Sequence, residues 1–250
     1  MIPMNYFWAT RLTDRRSWAS MLGFEWGPQL LAIWLLSTAS MTTASLHFAL
    51  AYLAFISIYE IGYLTNDIIS VRFEEEPRRR MAGREPTVLQ FGLWVLGRLT
   101  AFTGLTFFMG LQGEWWWWGF FGALSLVFML HNALRDASLR VVSFVGLATG
   151  RAIAPLLPFL TFDILRSLLI PILLNYVLFR TLAYMDSKDL LDMPNRQSTR
   201  FRIGFYAVLI PLSAMIAIID QSPLALAVNG YYLLFWSLLG FALIFRRNER

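Results

Sequence analysis

Two groups of acidic residues have the types and spacing for phosphate chemistry. The first opens with Asn66-Asp67, continues through Ser70 and Glu74-Glu75-Glu76, and meets Pro77 and the basic run Arg78-Arg79-Arg80. On a continuing helix Asp67, Ser70 and Glu74 stand at i, i+3 and i+7, so they line one face. The second group is Asp186, Lys188, Asp189 and Asp192. Asp186 and Asp189 share a face of the same helix, and Asp192 joins them if the helix unwinds slightly. Carboxylates in register with Arg and Lys beside them suit a phosphate held by Mg²⁺ and basic side chains together. Taken alone, the Glu74–Glu76 and Arg78–Arg80 runs read as a solvated loop. The chain has no cysteine and only two histidines, His47 and His131, so thiolate and histidine-rich metal centres are excluded. Any metal must therefore be oxygen-ligated.

The elements that position these residues are membrane spans. Of 250 residues, 57% are hydrophobic and 15% charged, well below the charged share of a soluble domain. A bilayer-crossing helix needs about 20 mostly apolar residues. Runs of that kind lie near 22–41, 46–65, 88–111, 115–132, 140–161, 164–185, 203–219 and 224–245. Arg11, Arg15 and Arg16 before an apolar stretch ending in Ser37-Thr38-Ala39-Ser40 loosely resemble a signal peptide. The segment is read instead as the first of many spans. The expected fold is an all-α integral membrane protein, one domain over residues 1–250. It is a bundle of about eight to nine transmembrane helices, with a central cavity open to the cytoplasmic side.

Charge placement orients the bundle. With a cytoplasmic N-terminus, the inner side receives Arg11, Arg15, Arg16, Arg72, Arg78–Arg80, Arg84, Arg135, Arg140, Lys188, Arg196, Arg200, Arg202, Arg246, Arg247 and Arg250. The outer loops receive only Arg166. The positive-inside rule then places both termini in the cytoplasm and the protein in the cell inner (plasma) membrane. Basic charge spread over loops in this way also argues against nucleic acid as a partner, despite a net charge of +5. Both acidic groups emerge on the cytoplasmic side, where they are expected across one cavity from each other.

Some charges fall inside the spans. Glu60, Arg98, Arg151 and Arg180 are intramembrane, an expensive placement that calls for a partner or a polar cavity. They are read as lining a cavity beneath the acidic groups. Asn175 and His131 are read as helix–helix contacts, and Trp115–Trp118 as an interfacial aromatic belt.

Asn66-Asp67-x-x-Ser70-x-x-x-Glu74, followed by Arg78–Arg80 and Arg84-Glu85-Pro86, resembles the first motif of the UbiA superfamily of intramembrane prenyltransferases. Asp186-x-Lys188-Asp189-x-x-Asp192 is similar to its second, and Asn132-Ala-Leu134-Arg135 holds the place of a basic turn between helices four and five. Ser70 and Glu74 stand where the family carries aspartates. The resemblance implies a Mg²⁺-dependent transferase that uses a polyprenyl phosphate or diphosphate lipid and an acceptor, within membrane lipid. Asp67, Glu74, Asp186, Asp189 and Asp192 would hold Mg²⁺. Asn66, Asp67, Glu74, Asp186 and Asp189 would be catalytic. Arg78, Arg84, Arg135 and Lys188, with Glu60, Arg98, Arg151 and Arg180, would bind substrate. The leading expectation is transfer of a prenyl group from its diphosphate. The alternatives are phosphoribosyl transfer onto a polyprenyl phosphate, a terpene cyclase, and a non-catalytic lipid-binding or transport protein of the same fold.

Overall fold

A computed structural model describes residues 3–69, 86–159 and 161–248 of the chain. Among the described residues every regular element is helical, and nine helices follow one another. They are α1 (Asn5–Arg11), α2 (residues 15–36), α3 (Met41–Ile68), α4 (Val88–Phe108), α5 (Trp115–Ala133), α6 (Ala137–Phe159), α7 (Asp163–Asp186), α8 (Thr199–Ile219) and α9 (Leu224–Asn248). Six of them, α3, α4, α6, α7, α8 and α9, are long and apolar enough to cross a membrane. The chain is an integral membrane protein by that measure. Two expected spans fall short of it. The first stops at Leu36, where Ser37 turns to extended backbone, instead of running to residue 41. The fourth, α5, has 19 residues, but its four leading tryptophans dilute its hydropathy.

Local chemistry sets the helix starts. Side-chain oxygens of Ser40, Asp136, Thr161 and Ser198 accept from amides in the first turns of α3, α6, α7 and α8. Thr87 and Gln90 form a reciprocal capping box on α4. Each cap satisfies amides that have no partner within their own helix. Three helices share one ending. At the ends of α4, α7 and α8 the residue in the left-handed region is Gly110 (φ 72°), Asp189 (φ 56°) and Gln221 (φ 49°). Its amide reaches back three residues, and the next amide reaches back five: Leu111 to Thr106, Leu190 to Met185, Ser222 to Ala217. This is the Schellman termination, which usually takes glycine at the left-handed position.

The chain forms two compact units. The first, residues 1–18 and 39–158, contains α1 and α3 to α6. Its core is aromatic: Phe55 packs tilted on Tyr59, and Tyr59, Tyr63 and Phe128 meet edge to face. Gly62 lets α5 approach α3, since a Cβ there would lie 2.3 Å from the Phe128 ring. The expected tryptophan belt is only partly one. Trp115 is exposed, whereas Trp117 is fully buried, stacks on Phe102 and donates from its indole to Thr106 at 3.0 Å. A helix turns successive side chains by about 100°, so four adjacent tryptophans cannot all face lipid.

The second unit, residues 19–38 and 159–250, holds most of α2 and α7 to α9. Two of its helices widen into π turns, Met21–Trp26 in α2 and Leu173–Val177 in α7, the latter just after Pro171. Neighbouring side chains satisfy carbonyls within these turns. Tyr231 donates to Gly23, Tyr232 to Phe24 and Tyr206 to Asn175. The Asn175 side chain donates to Pro171 and accepts from Asn229 at 2.8 Å. That is a helix–helix contact, as the sequence suggests for Asn175.

Candidate functional site

The C-terminal end of α3 carries the Asn66-Asp67 pair. The Asp67 side chain is 1% exposed, although it lies a single residue before the helix ends at Ile68. α1 causes that burial. The Tyr6 hydroxyl donates to Asp67 Oδ2 at 2.7 Å, and Arg11 contacts the same oxygen at 3.1 Å and Oδ1 at 3.4 Å. The Asn66 amide nitrogen leans on Oδ1 at 3.4 Å, while its carbonyl oxygen accepts from Arg140 of α6 at 3.3 Å.

From Arg11 the network runs deeper. Its guanidinium lies 4.6 Å from the centre of the Tyr63 ring, and the Tyr63 hydroxyl accepts from Arg151 at 2.7 Å. Arg151 in turn rests near the rings of Phe7 and Tyr59. One helical turn below Tyr63, the Phe7 backbone N–H donates to Glu60 Oε1 at 2.6 Å. Glu60 Oε2 pairs with Arg98 Nε of α4 at 2.7 Å, with both side chains at most 1% exposed. Trp94 stacks on the Arg98 guanidinium and meets Tyr6 edge-on. A buried carboxylate in a membrane helix is tolerable only with such a partner.

His131 sits at the margin of this network. Its Nδ1 lies 2.9 Å from the Ser143 hydroxyl and its Nε2 3.5 Å from Arg140. It joins α5 to α6, the helix–helix role expected of it, and also flanks the arginine that holds Asn66. Asn132 ties the same corner to α3 by donating to the Gly62 carbonyl at 3.2 Å.

In the second unit Asp186 ends α7. Its carboxylate accepts from Arg196 Nε at 2.6 Å and from the Met193 amide at 2.8 Å, pinning the loop that follows. The expectation that Asp186 and Asp189 share a helical face is overturned. The helix stops at Asp186, and Asp189 takes the left-handed position of its Schellman ending. An exposed carboxylate results. Asp192 is likewise exposed, Lys188 is half-buried, and Arg180 is half-buried on α7. In the first unit Arg135 is exposed between α5 and α6.

Glu74, Arg78 and Arg84, together with Ser70, lie outside the described residues. The structure therefore brings together Asn66, Asp67, Glu60, Arg98 and Arg151 of the expected set. It adds Tyr6, Arg11, Tyr63 and Arg140, which sequence reasoning used only for topology or not at all. For Arg11 and Arg140 the signal was present, since both are basic residues close to the end of an apolar run. Tyr6 had none. A carboxylate is the right ligand type for Mg²⁺. Among the described residues, however, no three His, Asp or Glu side chains gather closely enough to hold a metal. Asp67 itself is engaged by Tyr6 and Arg11.

Comparison with known proteins yields no match: no family model, curated protein or solved structure aligns with this chain.

Proposed function

We propose that the protein is a membrane transferase of the UbiA prenyltransferase type, binding the phosphate end of an isoprenoid lipid at the cytoplasmic end of α3. One observation carries the reading. Arg11, Arg140 and Arg151 are linked through Asn66, Asp67 and Tyr63 into a single polar network at the end of a 28-residue span. Guanidinium groups are the favoured partners of phosphate, since their planar forks match two oxygens at once. An arginine cluster at membrane level, walled by Phe7, Tyr59 and Phe128, suits a ligand with a charged head and an apolar tail.

In this reading Arg11 and Arg140 take phosphate oxygens, Asn66 orients Arg140, and Asp67 holds Arg11 until the phosphate arrives. Developing negative charge on a diphosphate leaving group is stabilised by groups already in place, which is where such sites gain most of their rate. The aromatic walls exclude water from an allylic cation until an acceptor captures it. Mg²⁺ belongs to the proposal as well. It would be offered Asp67 and Glu74 in the first unit, and Asp186, Asp189 and Asp192 in the second. Its contribution when bound is neutralisation of phosphate oxygens.

The test uses the purified protein in lipid nanodiscs with farnesyl and longer polyprenyl diphosphates as donors and a membrane lipid extract as the source of acceptor, scored by release of diphosphate. Arg140→Gln should raise the half-saturating concentration roughly tenfold or more, the cost of one lost charged hydrogen bond. Turnover only with phosphoribosyl diphosphate and a polyprenyl phosphate would shift the assignment to phosphoribosyl transfer. Binding of every lipid without turnover would leave a lipid-binding protein.

A further inference from the structure

α1 is a seven-residue helix whose contacts converge on the two carboxylates of α3. Phe7 is 3% exposed and stacks on Tyr63, its amide holds Glu60, and Tyr6 and Arg11 share Asp67. Its tether is slight. Before it, Met4 is in the left-handed region at φ 74°, a conformation that L side chains rarely adopt. After it, residues 12–14 have no regular structure. The helix is held by polar contacts to Asp67 and Glu60, by the Phe7 ring, by an edge contact of Trp8 with Trp18 and by buried Leu12 just after it. Arg11 pairs with Asp67 at 3.1 Å, and a phosphate competes for that same guanidinium.

We propose that α1 is a strap that closes the end of α3, and that an isoprenoid phosphate opens it by drawing Arg11 from Asp67. The inference rests on the phosphate-ligand reading above. In the closed state Asp67 is covered by Tyr6 and Arg11, so the carboxylate is withheld until substrate is present. On opening, Arg11 moves its guanidinium from carboxylate to phosphate with no loss of charge pairing. Asp67 and the rings of Tyr63 and Trp94, against which Tyr6, Phe7 and Arg11 lie, become accessible together. The site is thereby shielded from water and stray anions when no lipid is bound.

The absence of cysteine makes the test direct. Ala9→Cys on the exposed face of α1 and Leu139→Cys at the start of α6 give two spin-label positions in the first unit. Their separation is measured in nanodiscs by pulsed electron resonance. Farnesyl diphosphate should add a second population, longer by on the order of 10 Å, the length of α1 itself. Asp67→Asn should populate the longer distance with no lipid present. Arg11→Gln, which leaves Asp67 intact, should do the same and serves as the second variant should Asp67→Asn fold poorly. Binding of radiolabelled farnesyl diphosphate is measured on the same samples. Binding without any change in distance overturns the strap and leaves the functional reading standing. No binding overturns the functional reading. It also overturns opening by an isoprenoid phosphate, and an unchanged distance in both variants overturns the closure of α1 by Arg11 and Asp67.

Discussion

At the scale of single residues, the firmest energetic statement concerns Glu60 and Arg98. Their 2.7 Å pair is sealed from solvent, so either partner left alone is an uncompensated buried charge. Arg98→Ala is expected to cost about 3–5 kcal/mol in stability. Glu60→Gln with Arg98→Met removes both charges and should recover most of that loss; detergent-induced unfolding in mixed micelles measures both. Asp189 separates two roles cleanly. Its φ of 56° is where glycine is least strained, so Asp189→Gly should stabilise the protein by up to about 1 kcal/mol. If its carboxylate also serves the reaction, the same variant melts later yet turns over more slowly, and a faster or unchanged enzyme removes Asp189 from the site. The sequence offered Asp189 as a helical-face residue because spacing alone cannot register where a helix ends. Glu60 and Arg98 were legible as intramembrane charges, but their partnership was not, since it depends on which face of α4 meets α3. Arg11 was legible only as a topological charge, because its contact with Asp67 joins residues 56 apart in sequence.

At the scale of elements, the sequence carried helix number and position well and closeness of packing poorly. All eight expected spans correspond to helices, since long apolar runs need no tertiary information to be read. Gly62 was not marked, although the approach of α5 to α3 depends on it. Gly62→Ala places a methyl 2.3 Å from the Phe128 ring, so the ring or the helix must shift. A cost of about 1–3 kcal/mol is expected, visible as a lowered melting temperature, and Phe128→Leu should relieve part of it. The start of α6 gives a pH-dependent counterpart. The Asp136 carboxyl is held below the usual carboxylate range, chiefly by the Ser138 hydroxyl and then by the Leu139 and Ser138 amides. A depressed folded value means that stability is gained above the unfolded value and lost as pH falls through the folded one. The melting-temperature difference between the protein and Asp136→Ala should accordingly shrink on acidification and hold steady at neutral pH.

At the scale of the whole molecule, the charge asymmetry predicts orientation. Single cysteines in the cysteine-free chain report it with a membrane-impermeant thiol reagent on intact cells. Gly113→Cys and Gln221→Cys should label from outside, and Asn195→Cys only after permeabilisation. The reverse pattern would place Asp67 and Asp186 on the outer face and remove them from cytoplasmic substrates. The two compact units also explain why the site was half legible. Asn66-Asp67 and its arginines fall within one unit, where helix ends and a buried carboxylate constrain each other. Asp186, Asp189 and Asp192 belong to the other, where the carboxylates have loop-shaping work with Arg196 and a helix ending.

The π turn at Leu173–Val177 has a consequence for how the gene can change length. A π turn is an α-helix that has absorbed one extra residue without twisting the flanks out of register. Deleting one residue there should restore a plain α-helix and leave Leu168 and Phe179 facing the core as before. The same deletion between residues 164 and 170 rotates every earlier side chain by about 100°, turning buried positions to lipid. Chains one residue shorter should therefore have lost it inside residues 173–177, making this turn a place where the protein can gain or lose length within the membrane.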